Sequence, residues 1–192
     1  IISSTPDLIS LVDRHGVYKM VNDAYVTNFS MPREQLVGHY MADAIGEKQF
    51  QQLIKPRLDQ ALSGESTGYE SWIELPGAGR LFLAVNYYPV SDPDGHIRHV
   101  AVDARDLTPL KQAEDLRQQI FDLSLDMLCI AGFDGMFKEL NPAWPRTVGW
   151  SEEELKDRPW IEFVHPDDVQ ATLGAGETLS QGGDLLDFEN RY

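Results

Sequence analysis

Five histidines and one cysteine are the side chains of this 192-residue chain best suited to bind a metal or act as nucleophiles. They are spread along the sequence, at His15, His39, His96, His99, His165 and Cys129. No group of them has the number and spacing of zinc ligands. The sequence also has no glycine-rich phosphate loop and no Gly-x-Ser-x-Gly motif. We therefore predict no metal site and no catalytic residues.

Hydroxyl groups offer a second kind of chemistry. Successive side chains of a strand point to opposite faces, so Tyr69, Ser71 and Ile73 share one face of the segment "TGYESWIEL". Tyr87 adds a further hydroxyl in the next apolar segment. An apolar face with few polar groups is typical of a small-molecule pocket. It is equally typical of a filled core whose hydroxyls are hydrogen-bonded, and the sequence leaves both interpretations open.

The surrounding pattern predicts the elements that position these residues. "DLISLVD" and "VYKMV" flank a turn and form a hairpin. Short helical patterns follow, and Pro56 is expected to kink the longest of them or to mark its start. Three strands, "TGYESWIEL", "RLFLAVNYYPV" and "HIRHVAVDARDL", are separated by the turn segments "PGAG" and "SDPDG". Strands grouped apart from helices indicate an α+β domain with an antiparallel sheet.

The chain repeats this pattern at a fixed offset. Gly16 and Gly135, like Asn22 and Asn141, lie 119 positions apart (135 − 16 and 141 − 22). The repeated hairpin includes "FDGMFKELNPAW", and Ser151 with Glu154 has the spacing of a helix capping box. An offset of this length is too long for a solenoid unit and indicates a duplicated domain with a linker.

Both copies resemble PAS domains. The resemblance lies in "DLISLVDRHGVYKMVN" with "DAY" and "REQLVG", in "DMLCIAGFDGMFKELNPAW" with "SEEEL" and "FVHPDD", and in the last strand leading to Asp106-Leu107-Thr108. It implies a five-stranded antiparallel sheet with short helices on one face. The predicted domains are residues 1–108 with a residual N-terminal helix, a linker helix at 109–124, and a second PAS domain at 125–192. "LLDFENRY" would begin its third strand, and its last two strands would fall at about residues 199 to 226, beyond the sequence.

The resemblance also implies which residues line the pocket of the first domain. The inner face of the fourth strand would carry Leu83, Val85 and Tyr87, and that of the fifth strand Val100, Val102 and Ala104. The third strand would add Tyr69, Ser71 and Ile73. These nine residues are the candidates for binding an unknown small ligand. A cavity of roughly 300 Å³ or more would favour binding, whereas a filled core would favour a domain that only relays signals.

No cofactor is predicted. The stretches that correspond to the flavin-binding helix of light-sensing PAS domains, "GHYMADAI" and "DRPWIEFV", have no cysteine, and Cys129 falls in a strand. The long helix of the first copy has no histidine for a haem iron. Gly182-Gly183-Asp184 resembles part of a diguanylate cyclase signature but lacks the Glu-Phe that should follow. We therefore expect neither haem nor flavin.

The linker has the spacing of a short coiled coil. Ala113, Leu116, Ile120 and Leu123 follow one another at intervals of three, four and three residues. This pattern favours a parallel dimer, and an amphipathic helix lying on its own domain is the alternative. Ile1-Ile2 corresponds to Ile120-Phe121, so a similar helix is expected before the first domain. Thr108-Pro109 predicts the helix start, with Thr108 as its cap, and Asp106 and Thr108 are the candidate relay residues.

Charge and composition limit the partners. A formal net charge of −15 repels nucleic acid and anionic membrane surfaces. No apolar run is long enough to cross a membrane, and a single cysteine suits the cytoplasm. We expect part of a longer bacterial signalling protein, a homodimeric sensory and relay module whose output domain, a histidine kinase or diguanylate cyclase, lies outside this segment. The alternative is a ligand-free dimerisation and relay module.

Overall fold

The computed structural model describes residues 5–192, which divide into a compact unit up to Ala113 and a second from Glu114 to Tyr192. The expected helix before the first domain falls mostly on residues 1–4, outside the described residues. The first unit contains β1 (Leu8–Asp13), β2 (Tyr18–Val21), α1 (Asp23–Phe29), α2 (Arg33–Leu36), α3 (Met41–Ile45), α4 (Glu47–Gln49), a π-helical segment (Phe50–Ile54), α5 (Lys55–Leu62), β3 (Thr67–Leu75), β4 (Gly79–Ser91) and β5 (Ile97–Asp106).

The five strands form one antiparallel sheet in the order β2-β1-β5-β4-β3. Hairpins join β1 to β2, β3 to β4 and β4 to β5, and the long-range pairing of β1 with β5 joins the two groups of strands. In the β1–β2 turn, Asp13 accepts hydrogen bonds from the backbone N–H groups of His15 and Val17. Gly16 has a φ of +77°, which favours glycine. The predicted five-stranded α+β fold is therefore confirmed.

The core lies between the inner face of this sheet and the short helices. Strand alternation sends Leu83, Val85 and Tyr87 of β4 inward, and all three are buried. The helices contribute Phe29, Phe50, Ile54 and Leu58 from the opposite side. The whole helical layer is therefore held against the sheet mainly by apolar packing.

Pro56 shows how one residue shapes this layer. It lies in the first turn of α5, directly after helical residues, and has no N–H to donate to the turn before it. The preceding turn, Phe50–Ile54, is π-helical instead of α-helical. The sequence correctly predicted a kink or late start at Pro56, and the local change is a π-helical turn.

The second unit begins within α6 (Thr108–Leu123), the helix that joins the two copies. Its other elements are β6 (Cys129–Ala131), β7 (Phe137–Leu140), α7 (Ala143–Val148), α8 (Glu152–Asp157), two 3₁₀ segments (Trp160–Phe163 and Pro166–Asp168) and α9 (Val169–Ser180). The predicted capping box is present, because Ser151 Oγ accepts from the N–H of Glu154 and the Glu154 carboxylate accepts from the N–H of Ser151. No helix among residues 5–192 has the length and apolar character to span a bilayer.

The predicted third strand of the second copy is wrong, because residues 183–192 form no regular element. The counterpart in the first unit explains this difference. There β3 is an edge strand, and β4 is its pairing partner in the described sheet. Among residues 5–192 there is no strand equivalent to β4 in the second unit, so "LLDFENRY" exchanges no ladder hydrogen bonds there.

Candidate functional site

The first unit encloses a small apolar cavity of about 40 Å³ between the sheet and the helices. Seven of the nine pocket candidates line it: Tyr69, Ile73, Leu83, Val85, Tyr87, Val102 and Ala104. This volume accommodates one or two water molecules. It is far below the roughly 300 Å³ typical of the smaller ligand pockets.

The other two candidates lie beside the cavity and not on its lining. Ser71 is half-buried on β3, and its hydroxyl donates to the carbonyl oxygen of Trp72 at 3.4 Å. Val100 is fully buried on β5, opposite Val12 of β1, where it fills the middle of the sheet face. The structure therefore brings seven of the candidates together around the cavity. Ser71, which pairs with Leu83, and Val100 are near them but do not line it.

The rest of the lining was not predicted from the sequence. It comprises Leu8 of β1, Leu75 of β3 and the helical residues Tyr25, Phe29, Met41, Ile45 and Ile54. Strand alternation assigns faces within a sheet but says nothing about which helical residues oppose them. The repeat provided one signal, since Tyr25 corresponds to Trp144 in the second copy.

Tyrosine hydroxyls gather around this core. The Ser10 and Tyr25 hydroxyls are hydrogen-bonded at 3.0 Å and buried. The Tyr18 hydroxyl lies near that of Tyr25, and the Tyr69 hydroxyl lies near that of Tyr87. Neither the Tyr18 nor the Tyr69 hydroxyl forms a well-aligned hydrogen bond with the described residues. Burial raises the pKa of Tyr25 to about 12, and it raises the pKa values of Tyr18 and Tyr87 well above 10. The hydroxyls therefore stay neutral near pH 7.

The junction between β5 and α6 is built from three short hydrogen bonds. Asp106 Oδ1 accepts from the N–H of Thr108 at 2.8 Å. Thr108 Oγ1 accepts from the N–H of Phe82 on β4, and the N–H of Leu107 donates to the Phe82 carbonyl, both at 2.8 Å. The start of α6 is thus fixed to an inner strand of the sheet.

This geometry changes the role expected for Thr108. The sequence predicted a threonine cap whose hydroxyl accepts from the first helical turn. Instead, Thr108 is already the first residue of α6, and its buried hydroxyl bonds across to β4. Leu107 provides the carbonyl that accepts from Lys111, and Asp106 accepts from Thr108. The Asp106 carboxylate therefore supplies the hydrogen-bond acceptor that was expected from the Thr108 hydroxyl.

The four residues proposed for the dimer helix all lie on the surface of α6. Ala113 is exposed, and Leu116, Ile120 and Leu123 are 57%, 62% and 78% exposed. An amphipathic helix that covered its own domain would bury these side chains. Their exposure therefore leaves an apolar stripe, Leu116–Ile120–Leu123, open to a partner.

The second unit has a larger cleft of about 380 Å³. Four of its nine lining residues are aromatic: the lining consists of Met127, Trp144, Thr147, Val148, Trp150, Leu155, Phe163, Asn190 and Tyr192. The indole N–H of Trp144 is buried without a hydrogen-bond partner among the described residues. This cleft was not predicted from the sequence. The sheet of the same unit has two strands, β6 and β7.

Comparison with protein families identifies both copies. Residues 2–112 match one family model described as a PAS fold, and residues 137–192 match another with the same description. Since the first match covers more than half of the chain, the protein belongs to the PAS family, and it contains two PAS copies in tandem. PAS domains are typical signal-sensing modules of sensor kinases.

The individual relatives are distant. The uncharacterized protein y4lL of Sinorhizobium fredii is 23% identical over 200 residues, and this chain spans about a quarter of its length (24%). The BvgS PAS domain of Bordetella pertussis is 21% identical, with 62% of this chain and 92% of that domain covered and a TM-score of 0.49. A PAS domain from Colwellia psychrerythraea is 13% identical, covers 56% of this chain and 92% of its own, and has a TM-score of 0.50. The likeness to the Colwellia psychrerythraea domain shows the fold alone.

Proposed function

We propose that this chain is a non-catalytic sensory and relay segment of a bacterial signal-transduction protein, in which the first PAS domain controls the linker helix α6. One observation supports this most directly: Thr108, the first residue of α6, is hydrogen-bonded to Phe82 on β4 at 2.8 Å. A movement of β4 therefore acts on the helix start directly. Asp106 completes the connection by accepting from the N–H of Thr108.

The small cavity favours relay without a large bound ligand. A space of about 40 Å³ requires the core to open before an organic molecule enters. In this proposal the first domain receives its input from an upstream segment or partner. We infer no haem or flavin, and we propose a cytoplasmic location, which suits an exposed free cysteine at Cys129.

A second candidate function, small-molecule binding, belongs to the second unit. Its cleft of about 380 Å³ has the size of a ligand pocket, and its aromatic lining suits a planar apolar molecule. Native mass spectrometry of the purified 192-residue chain tests this directly. A retained small molecule supports binding, and a bare mass after purification from several media counts against it.

The relay proposal is tested in the full-length protein by Asp106→Ala and Thr108→Val. Each removes one side-chain acceptor at the junction, so we expect output activity to lose its response to the input signal while protein level is kept. Asp94→Ala is the matched control for Asp106→Ala, because Asp94 is an exposed acid in the β4–β5 turn and the charge change is the same. Normal signal responses in both junction variants would show that the junction has no relay role.

A further inference from the structure

The tandem repeat places one asparagine at the same position of both copies. Asn22 Oδ1 accepts from the N–H of Ile9 at 3.1 Å, and its Nδ2 donates to the carbonyl of Asp7 at 2.8 Å. Asn141 Oδ1 accepts from the N–H of Leu128 at 3.0 Å, and its Nδ2 donates to the carbonyl of Asp126 at 2.9 Å. The two asparagines therefore hold equivalent backbone groups at the offset of 119 residues.

Asn141 also reaches the end of the linker helix. Its Nδ2 donates to the carbonyl oxygens of Phe121 at 3.1 Å and Ser124 at 3.4 Å. Phe121 lies in the last turn of α6 and Ser124 directly follows the helix, so both carbonyls lack partners within it. A side-chain amide has two N–H donors, which three carbonyls share here.

Burial makes this connection firm. Asn141 is 0% exposed, so water cannot replace a hydrogen bond that breaks. A second side-chain link from α6 to β7, between Arg117 and Glu139 at 3.5 Å, is exposed and contributes little. A change in the position of the helix end therefore acts on the backbone at Asp126 and Leu128, which leads into β6.

We propose that Asn141 is the clamp through which the second PAS domain receives the movement of the linker helix. The inference rests on the proposed relay function and names its receiving end. The helix is held at its start by Asp106 and Thr108 and at its end by Asn141. Asn141 transmits a displacement from the helix to the sheet because its Nδ2 group donates to carbonyls at the end of α6. Its Oδ1 atom accepts from the N–H of Leu128, just before β6.

The test uses the 192-residue chain and a small change at the helix start. Thr108→Val leaves the N–H of Phe82 without its acceptor. Hydrogen exchange then reports whether the β6 and β7 amides respond. The clamp variant is Asn141→Asp, which has the same size and keeps the acceptor for Leu128 but turns a carboxylate oxygen toward the three carbonyls. Asn22→Asp is the matched control in the first copy.

We expect Thr108→Val to change exchange rates in β6 and β7 roughly fivefold or more, the lower bound of ordinary coupling between sites. Asn22→Asp should keep this response, and Asn141→Asp should abolish it. An equal response with Asn141→Asp, or an equal loss with Asn22→Asp, would overturn the clamp and leave the relay standing. No response in the otherwise native chain would overturn the relay as well.

A folding control keeps the result interpretable. If the β7 amides of Asn141→Asp lose all protection, Asn141→Ser takes its place in the same comparison. The serine hydroxyl is too short to join the helix end to Leu128, but it places no charge among the carbonyls. A full response with Asn141→Ser would then overturn the clamp, and a lost response with β7 protected would support it.

Discussion

The hydroxyl of Tyr25 lies in the core and depends on a single aligned partner, Ser10, at 3.0 Å. Tyr25→Phe leaves the Ser10 hydroxyl buried and unpaired, so we expect the free energy of unfolding of the first domain to fall by about 1–3 kcal/mol. Denaturant unfolding measures this. The double variant Ser10→Ala/Tyr25→Phe removes both groups and should cost clearly less than the sum of the two single changes. Additive losses would mean that the pair is not coupled.

Ionisation of the same hydroxyl makes stability depend on pH in the alkaline range. Burial raises the pKa of Tyr25 from 10 to about 12 in the folded state. The unfolded chain therefore releases this proton first, and stability must fall as the pH rises from about 10 toward 12. Below pH 10 the group is neutral in both states and adds no pH dependence.

Urea unfolding between pH 8 and pH 11, with phenolate absorbance recorded in parallel, tests this prediction. We expect the unfolding midpoint to decrease above pH 10. Tyr25→Phe should remove its own share of that decrease and leave the share of Tyr18 and Tyr87, whose pKa values burial also raises. Tyr88→Phe, a change on the exposed face of β4, should leave the decrease as it is. The same slope in Tyr25→Phe and in the native chain would exclude a contribution from Tyr25.

Packing of the β3–β4 turn against α1 makes Gly77 a sensitive position. A Cβ at Gly77 would lie 2.6 Å from the backbone nitrogen of Ser30 and would also clash with its hydroxyl. Backbone cannot move aside as a flexible side chain does. Gly77→Ala should therefore destabilise the first domain by about 1–3 kcal/mol, the usual cost of overpacking. Thermal unfolding checks this, and a stability equal to the native value would show that the turn and α1 can separate freely.

Helix α9 of the second unit offers the opposite case. A Cβ at Gly174 meets no described atom within 4 Å, and the residue lies inside a twelve-residue helix. Alanine at this position restricts the unfolded chain and favours the helix, so Gly174→Ala should stabilise the second unit by about 0.5–1 kcal/mol. Hydrogen exchange of the α9 amides measures the gain. Faster exchange in the variant would contradict the helical assignment.

Sequence patterns were sufficient for the strands of the first domain, because alternation and turn residues act locally. "TGYESWIEL" is β3 from Thr67 to Leu75, as the pattern predicts. They were not sufficient where a distant group decides the outcome. "LLDFENRY" has strand-like residues but no strand to pair with, and the Thr108 hydroxyl prefers Phe82 over its own helix. The helical wall of the cavity was missed for the same reason, since Met41 and Ile54 reach it only through tertiary packing.

At the scale of the whole molecule, the duplication explains why Asn22 and Asn141 are both buried at equivalent positions of the two copies. Each copy closes its hairpin with an asparagine, and α6 is fixed at both ends by side-chain hydrogen bonds. These hydrogen bonds bury little apolar surface. They are suited to keeping a helix in register with two domains, which a relay needs and a passive linker does not.

The apolar stripe on α6 is exposed, and a second copy of the chain is the partner that its pattern fits. Ala113 and Ile120 occupy one set of core positions, and Leu116 and Leu123 the other, an arrangement that favours a parallel two-stranded coiled coil. The flanking side chains, among them Gln112, Arg117 and Gln119, place no like-charged pairs across such a seam. We therefore propose a homodimer through α6.

Ile120→Glu tests the homodimer, because it puts a carboxylate from each protomer into the seam. Two isoleucines each lose about 1.5–3 kcal/mol of burial, so the dissociation constant should rise about a hundredfold or more. Sedimentation equilibrium of the 192-residue chain measures this. Gln119→Glu is the matched control: it adds the same charge at the adjacent exposed position and should leave the dimer intact. A native chain that stays monomeric at high micromolar concentration, or an Ile120→Glu variant that dimerises as tightly as Gln119→Glu, would show that α6 does not form the interface.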